Sequence, residues 1–244
     1  MAVRTALGYS GLVGTVVLYE INGKQYMRAR PKERKKSDKG TIARNKIFGE
    51  VSRYGTRMIN ELKYRLLFHF GLETYNRQRG WMRNEYAAHK DSENWELVAK
   101  NNQMSQLNTE TDLRDFLEAS FTVTDEGKGV VSIGIPVINP TLNIKAPMRT
   151  TKINMKMMVV SSPFKSEATT HLTTMKEYAF DYTDKILPAK TFSIDTKPRK
   201  GSATGNIALV AIALEFETKD TGKDKYNLEK RWLPAAVISM GRLS

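Results

Sequence analysis

From about residue 117 onward, hydrophobic and polar positions alternate: Leu117, Ala119, Phe121 and Val123 are interleaved with Glu118, Ser120, Thr122 and Thr124. That period of two predicts a strand with one wet face. Comparable runs at 130–138, 153–160, 178–182, 191–196, 207–218 and 235–240 are separated by turn signals. These signals are Asp125-Glu126-Gly127, Asn139-Pro140, Ser161-Ser162-Pro163, Lys200-Gly201 and Thr221-Gly222. Strands at this spacing with no helix between them predict an antiparallel β-sandwich of Ig-like size over residues 116–244.

Upstream the period lengthens to between three and four. Phe48, Val51, Gly55, Ile59, Leu62, Leu66 and Phe70 predict one long helix over 41–70, with Thr41 as its N-cap and Gly71 just past its end. Arg44, Arg53, Arg57, Lys63 and Arg65 lie mostly off that stripe, so one side of the helix is basic. Tyr75, Met82 and Tyr86 predict a second, weaker helix over 73–89, which makes 41–115 a helical region. At the front, a run at 12–21 rich in Val, Leu and Tyr and an alternating run at 24–30 with Tyr26, Arg28 and Arg30 flank Asn22-Gly23. Both central positions of a type I′ turn need positive φ, so Asn-Gly there predicts a β-hairpin. Gly8, Gly11 and Gly14 suggest a flexible or closely packed arm before the first strand, Pro31 ends the second, and the charge-dense stretch 32–40 has no apolar anchor and reads as an exposed linker. The expected fold class is therefore α+β: an N-terminal hairpin arm with linker (1–40), a helical middle and a C-terminal antiparallel sandwich.

The opening residues carry a family resemblance. Gly11-Leu12-Val13-Gly14-Thr15-Val16, then Asn22-Gly23, Tyr26-Met27-Arg28, Arg30-Pro31 and a threonine-led Thr41 with Arg44-Asn45-Lys46-Ile47, resemble small β-rich Bacteroidota proteins with no assigned function. The resemblance covers about residues 8–48, and the basic insert from Lys32 to Lys39 departs from it. It implies a non-enzymatic protein and transfers no site residue.

Composition sharpens this picture mainly through charge. With 40% hydrophobic residues, the 244-residue chain can close a core, and without cysteine it has no disulfide or thiol chemistry. Glycines interrupt the mildly apolar stretch 7–19 and no run of about 18 apolar residues occurs, so neither a signal peptide nor a membrane span is expected, and the setting reads as cytoplasmic or virion. The net charge of +13 is unevenly placed. Residues 1–90 hold 19 Lys and Arg against 7 Asp and Glu, a net +12, whereas 91–244 hold 20 against 19, a net +1. Such asymmetry points to a partner for the front of the chain.

No catalytic set emerges. His69, His89 and His171 are scattered without metal-ligand spacing, and Asp112, Asp115 and Glu118 beside Arg114 read as a solvated face. The glycines at 8, 11 and 14 are followed by neither a Lys-Ser/Thr pair nor a helix, so no phosphate loop is expected. We therefore expect no enzyme, cofactor or metal. Two binding readings remain. Arg28, Arg30, Lys32, Arg34, Lys35, Lys36 and Lys39, continued by Arg44, Arg53 and Arg57, form a basic strip able to bind nucleic acid without reading sequence. The preferred reading is assembly: an arm built on Leu12, Val16, Leu18, Asn22, Gly23 and Tyr26 adds a strand to an exposed edge of another subunit, most simply in a homo-oligomer. The competing possibility is that the hairpin folds back and closes its own sheet.

Overall fold

The computed structural model describes residues 2–5, 8–21, 24–29, 38–92, 95–163, 172–197, 203, 205–220 and 223–244; of 2–5, 8–10, 12, 172, 220 and 223–225 it describes only the backbone. The fold is α+β, with β-hairpins at the front, a helical region, and antiparallel sheets behind. Two compact units comprise Met1–Asn45 and Lys46–Ser244.

The first unit is a four-stranded antiparallel meander of β1 (Ala2–Thr5), β2 (Gly8–Val13), β3 (Val16–Ile21) and β4 (Lys24–Ala29), in that spatial order. Ile21 pairs with Lys24, as a two-residue connection requires; the connecting Asn22 and Gly23 lie outside the described residues. The single strand expected over 12–21 is two strands. Val13 pairs with Val16 across Gly14-Thr15, and Gly14 takes φ +56°, a left-handed conformation that glycine adopts without steric cost. The glycine-punctuated opening is thus itself strand, because Gly8 and Gly11 pair with Thr5 and Ala2.

Helix α1 (Lys39–Glu50) begins one turn earlier than expected, with Asp38 as its cap. The Asp38 carboxylate accepts the Thr41 backbone N–H at 2.6 Å and the Thr41 hydroxyl at 3.1 Å. Those two hydrogen bonds hold its pKa below the usual carboxylate value. The helix then widens into a π-helical turn, Val51–Gly55, and continues as α2 (Thr56–Lys63), seven residues short of the expected end. Phe68 and Phe70 still bury, but from the turns that follow. Gly71, expected past the end of that helix, instead caps the start of α3 (Leu72–His89). Gly55 permits the close approach of α3, since a Cβ there would lie 2.9 Å from the Met82 methyl carbon.

Two antiparallel sheets follow. Strands β6 (Thr122–Asp125), β7 (Val130–Ile135) and β10 (Lys190–Asp195) form a small sheet ordered β10-β7-β6. The larger one is ordered β5-β13-β11-β8-β9, from β5 (Ser105–Gln106), β8 (Thr150–Ser162), β9 (Leu172–Asp181), β11 (Ile207–Asp220) and β13 (Ala235–Arg242); β12 (Lys223–Tyr226) pairs with the far end of β11. The short helices α4 (Leu113–Phe116) and α5 (Pro140–Asn143) lie in the connections. The strand expected from Leu117 starts only at Thr122, because Leu117 makes an isolated bridge to Ile144 instead.

The larger sheet is covered on both faces. One face meets the small sheet, with Ile153, Met155, Val210, Ile212 and Ile238 against Val123, Val131 and Ile133. The opposite face carries the helices, with Met158, Leu209, Ala211 and Val237 against Val51, Met58, Ile59, Leu62 and Met82. The expectation of one wet face therefore fails for β8, β11 and β13. Their unbroken apolar runs, such as Ile207-Ala208-Leu209-Val210-Ala211-Ile212-Ala213-Leu214, are what a strand buried on both sides requires. A register shift, in which Val210 faces Ser239 and Ala211 faces Val237, lets Val237 and Met240 both turn toward the helices.

Candidate functional site

The arm residues lie in the four-stranded sheet of the first unit. Val16 and Leu18 are half-buried in β3, Leu12 pairs with Val17, and Tyr26 is exposed on β4. Tyr26 stacks on Tyr19 at 5.7 Å between ring centroids, and the Arg28 guanidinium stands 5.6 Å from the Tyr19 ring. No described side chain between residues 1 and 45 is buried. Met27, 75% exposed, and Val13, Ile21 and Ile42 face solvent instead. A small sheet gains independent stability by burying an apolar face, and the described side chains of this unit bury none.

The basic strip is only partly within the described residues: Arg30, Lys32, Arg34, Lys35 and Lys36 lie outside them. Arg28 is exposed on β4, and Lys39 and Arg44 on α1, where Arg44 Nη2 donates to the Thr41 hydroxyl at 3.2 Å. In the second unit Arg53 is exposed on the π-helical turn and Arg57, half-buried, follows one turn later on α2. No described acidic group within 4 Å forms an ion pair with any of these arginines.

The sheet edges differ in how they are protected. At β5, Gln78 of α3, fully buried, donates its side-chain amide to the carbonyls of Ser105 and Gln106 at 3.2 and 2.8 Å. At β13 the extended segment 95–98 runs alongside, with Arg242 N donating to Trp95 O at 2.8 Å and Ser239 Oγ to Val98 O at 2.8 Å. Gly241 makes that approach possible, because a Cβ there would meet Leu97 backbone at 2.7 Å. Strand β6 is covered only at its ends, where the Asn101 side chain exchanges hydrogen bonds with the Phe121 backbone at 3.0 Å each and Ser244 N donates to Asp125 Oδ2 at 2.6 Å. It is the outer strand of the small sheet, and among the described residues no backbone–backbone hydrogen bond reaches it from the side away from β7. Between β6 and segment 95–98 runs a groove of about 380 Å³, whose lining includes Glu96, Val98, Thr124 and Asp125 together with Leu243 and Ser244. The alternation of buried Trp95 and Leu97 with exposed Glu96 and Val98 is the sequence signal for this edge; it went unread because the segment is short and irregular.

Of the groups weighed for chemistry, Asp112 and His89 have structural employment. Asp112 caps α4, accepting the Arg114 backbone N–H at 2.9 Å and the Gln106 side-chain amide at 2.7 Å; the Arg114 guanidinium, whose Nε donates to the same carboxylate at 3.0 Å, holds its pKa below the usual range. His89 stacks on Trp95 at 5.6 Å and places Nδ1 3.0 Å from Glu85 O; His69 is exposed, and His171 lies outside the described residues. Among the described residues no group of three or more His, Asp or Glu side chains is placed to hold a metal ion, and no helix is long and apolar enough to cross a membrane. Comparison of the chain with family models, curated proteins and solved structures finds no match.

Proposed function

We propose that this chain is a non-enzymatic assembly protein, a subunit or accessory of a larger virion-like or filament-like structure, which engages its neighbours through the N-terminal arm and the edges of the sandwich. One observation carries the reading: a four-stranded sheet with no buried described side chain stands at the front of a chain whose remaining residues contain both cores. Strand addition suits such an arm, because main-chain hydrogen bonds supply affinity without special side chains. The test is removal of residues 1–40 followed by mass determination in solution by light scattering. Loss of self-association or of co-assembly with its neighbours supports the proposal, and an unchanged oligomer size refutes it.

A second reading, sequence-nonspecific nucleic-acid binding, is favoured by the net +12 of residues 1–90 against +1 for the remainder. Binding of that kind weakens steeply with salt as condensed counterions are released. Titration of random DNA and RNA across salt concentrations separates the two, since absent binding at low salt removes this reading and leaves assembly standing.

A further inference from the structure

We infer that the open edge of β6 is the receptor for the arm of a second copy of this chain, with β4 of one copy pairing along β6 of the next. The inference rests on the assembly reading and names its contact. Three observations bring these strands together. Both are outer strands of their sheets, and among the described residues no backbone–backbone hydrogen bond reaches the outer side of either, the ordinary template for adding a strand. Their side chains are complementary in polarity: beside β6, Val98 is 50% exposed in the groove, and on β4 Met27 is 75% exposed. Their charges are opposed. The groove carries the exposed carboxylate of Glu96 together with Asp125, whereas β4 carries Lys24 and Arg28. The cation lining the groove, Arg242, is already engaged, donating to the carbonyls of Lys90 and Ser92 at 3.3 Å each.

A second copy is the occupant favoured over an unrelated chain because one sequence supplies both halves, a basic strand lacking a covered face and an acidic-rimmed edge lacking a strand. The contact is heterologous, arm to edge, so it closes a ring or propagates as a filament according to the rotation between copies. Asp125 takes part through its charge alone, since its two carboxylate oxygens already accept the backbone N–H groups of Gly127 at 3.0 Å and Ser244 at 2.6 Å. Glu96 makes no ion pair with any described cation and is therefore the principal acidic partner.

The absence of cysteine from the chain makes the test direct. Full-length copies carrying Thr124→Cys are mixed with differently tagged copies carrying one cysteine at each β4 position from Lys24 to Ala29 in turn, and mixed disulfides are quantified after mild oxidation. Strand pairing brings only one face of β4 into register with the Thr124 side chain, so cross-linking should alternate with a period of two. In parallel, Glu96→Lys and Arg28→Glu should each weaken self-association about ten-fold, the effect expected when an attractive charge pair becomes repulsive, and mixing the two variants should restore it. Because Glu96, Thr124 and Arg28 are exposed, these changes leave the cores intact. Association that needs the arm but shows no alternating cross-link and ignores Glu96→Lys overturns this inference while sparing the assembly reading. Association that survives loss of the arm overturns both, and a full-length chain that stays monomeric at every concentration overturns the inference by excluding a second copy as occupant.

Discussion

The Lys156 ammonium lies 2.6 Å from a carboxylate oxygen of Glu215 on the helix-bearing side of the larger sheet, with the two residues 8% and 3% exposed. The same ammonium donates to Arg65 O at 3.2 Å, so one cation ties β8, β11 and the turn that follows α2. Glu177 of β9, 4.0 Å from Lys156, completes the cluster. Removing one partner of a buried pair strands the other charge without compensation. We therefore expect Lys156→Met to cost about 3–5 kcal/mol at neutral pH, whereas Lys156→Met with Glu215→Leu should recover most of that loss. Urea unfolding of the two variants checks this; equal destabilisation in both would contradict it.

Burial pushes the Glu215 carboxyl above the ordinary glutamate range, against the downward pull of the Lys156 hydrogen bond. The folded chain then holds its proton more tightly than the unfolded chain does. Through the window between the ordinary glutamate value and the raised one, stability should fall as pH rises. Glu215→Gln deletes this titration and should flatten the slope of unfolding free energy with pH from acid toward neutral. An identical slope in both proteins would show that Glu215 does not titrate in that window.

Gly241 and Gly49 should respond to alanine in opposite ways. A methyl group at Gly241 would meet Leu97 backbone atoms at 2.7 Å and Glu96 O at 2.7 Å, whereas at Gly49, in α1, nothing lies within 4 Å. Gly241→Ala should cost about 1–3 kcal/mol by forcing segment 95–98 away from β13. Faster amide exchange at Arg242, whose N–H donates to Trp95 O, should accompany the loss. Gly49→Ala should be neutral or stabilising by up to about 1 kcal/mol through helix propensity. Thermal unfolding of both variants gives the comparison.

If the basic strip meets a polyanion, Arg53 and Arg57 contribute through charge alone. Arg53→Gln should then lower the slope of log affinity against log salt by about 1, the weight of one phosphate contact, with equal effect on every nucleic-acid sequence. A variant whose affinity changes for one sequence only would indicate base reading instead, and a variant with no effect would place Arg53 outside the contact.

Much of the local structure was legible in the pattern. Asn22-Gly23 between an apolar run and an alternating one pointed to two paired strands, and Ile21 does face Lys24. Tyr75, Met82 and Tyr86 marked α3 to within a residue, and each long apolar run from 153 onward became a strand. The end of α2 was not legible, because Leu66 and Phe70 keep the helical spacing and Phe70 still buries from outside a helix. Backbone hydrogen bonds from Arg65 to Leu62 O and from Leu66 to Lys63 O tighten the chain there, and the Arg65 carbonyl is drawn to Lys156, ninety-one residues away. Of the candidate site, the sequence showed which segment was basic and strand-forming. Glu96 and Val98, the exposed side of the β6 groove, were missed because nothing local marks a four-residue segment as the neighbour of a distant edge.

What the chain determines by itself is therefore local: strand and helix periods, the turn glycines, the crowding of positive charge into the first ninety residues, and the lack of any thiol. What covers each face was decided only in three dimensions. An unbroken apolar run such as 207–214 calls for cover on both faces, but it does not say which distant helices or second sheet supply that cover. Only the tertiary structure gave Lys156 its partner, left the outer edge of β6 without a paired strand among the described residues, and left the front sheet with no side chain buried among those described.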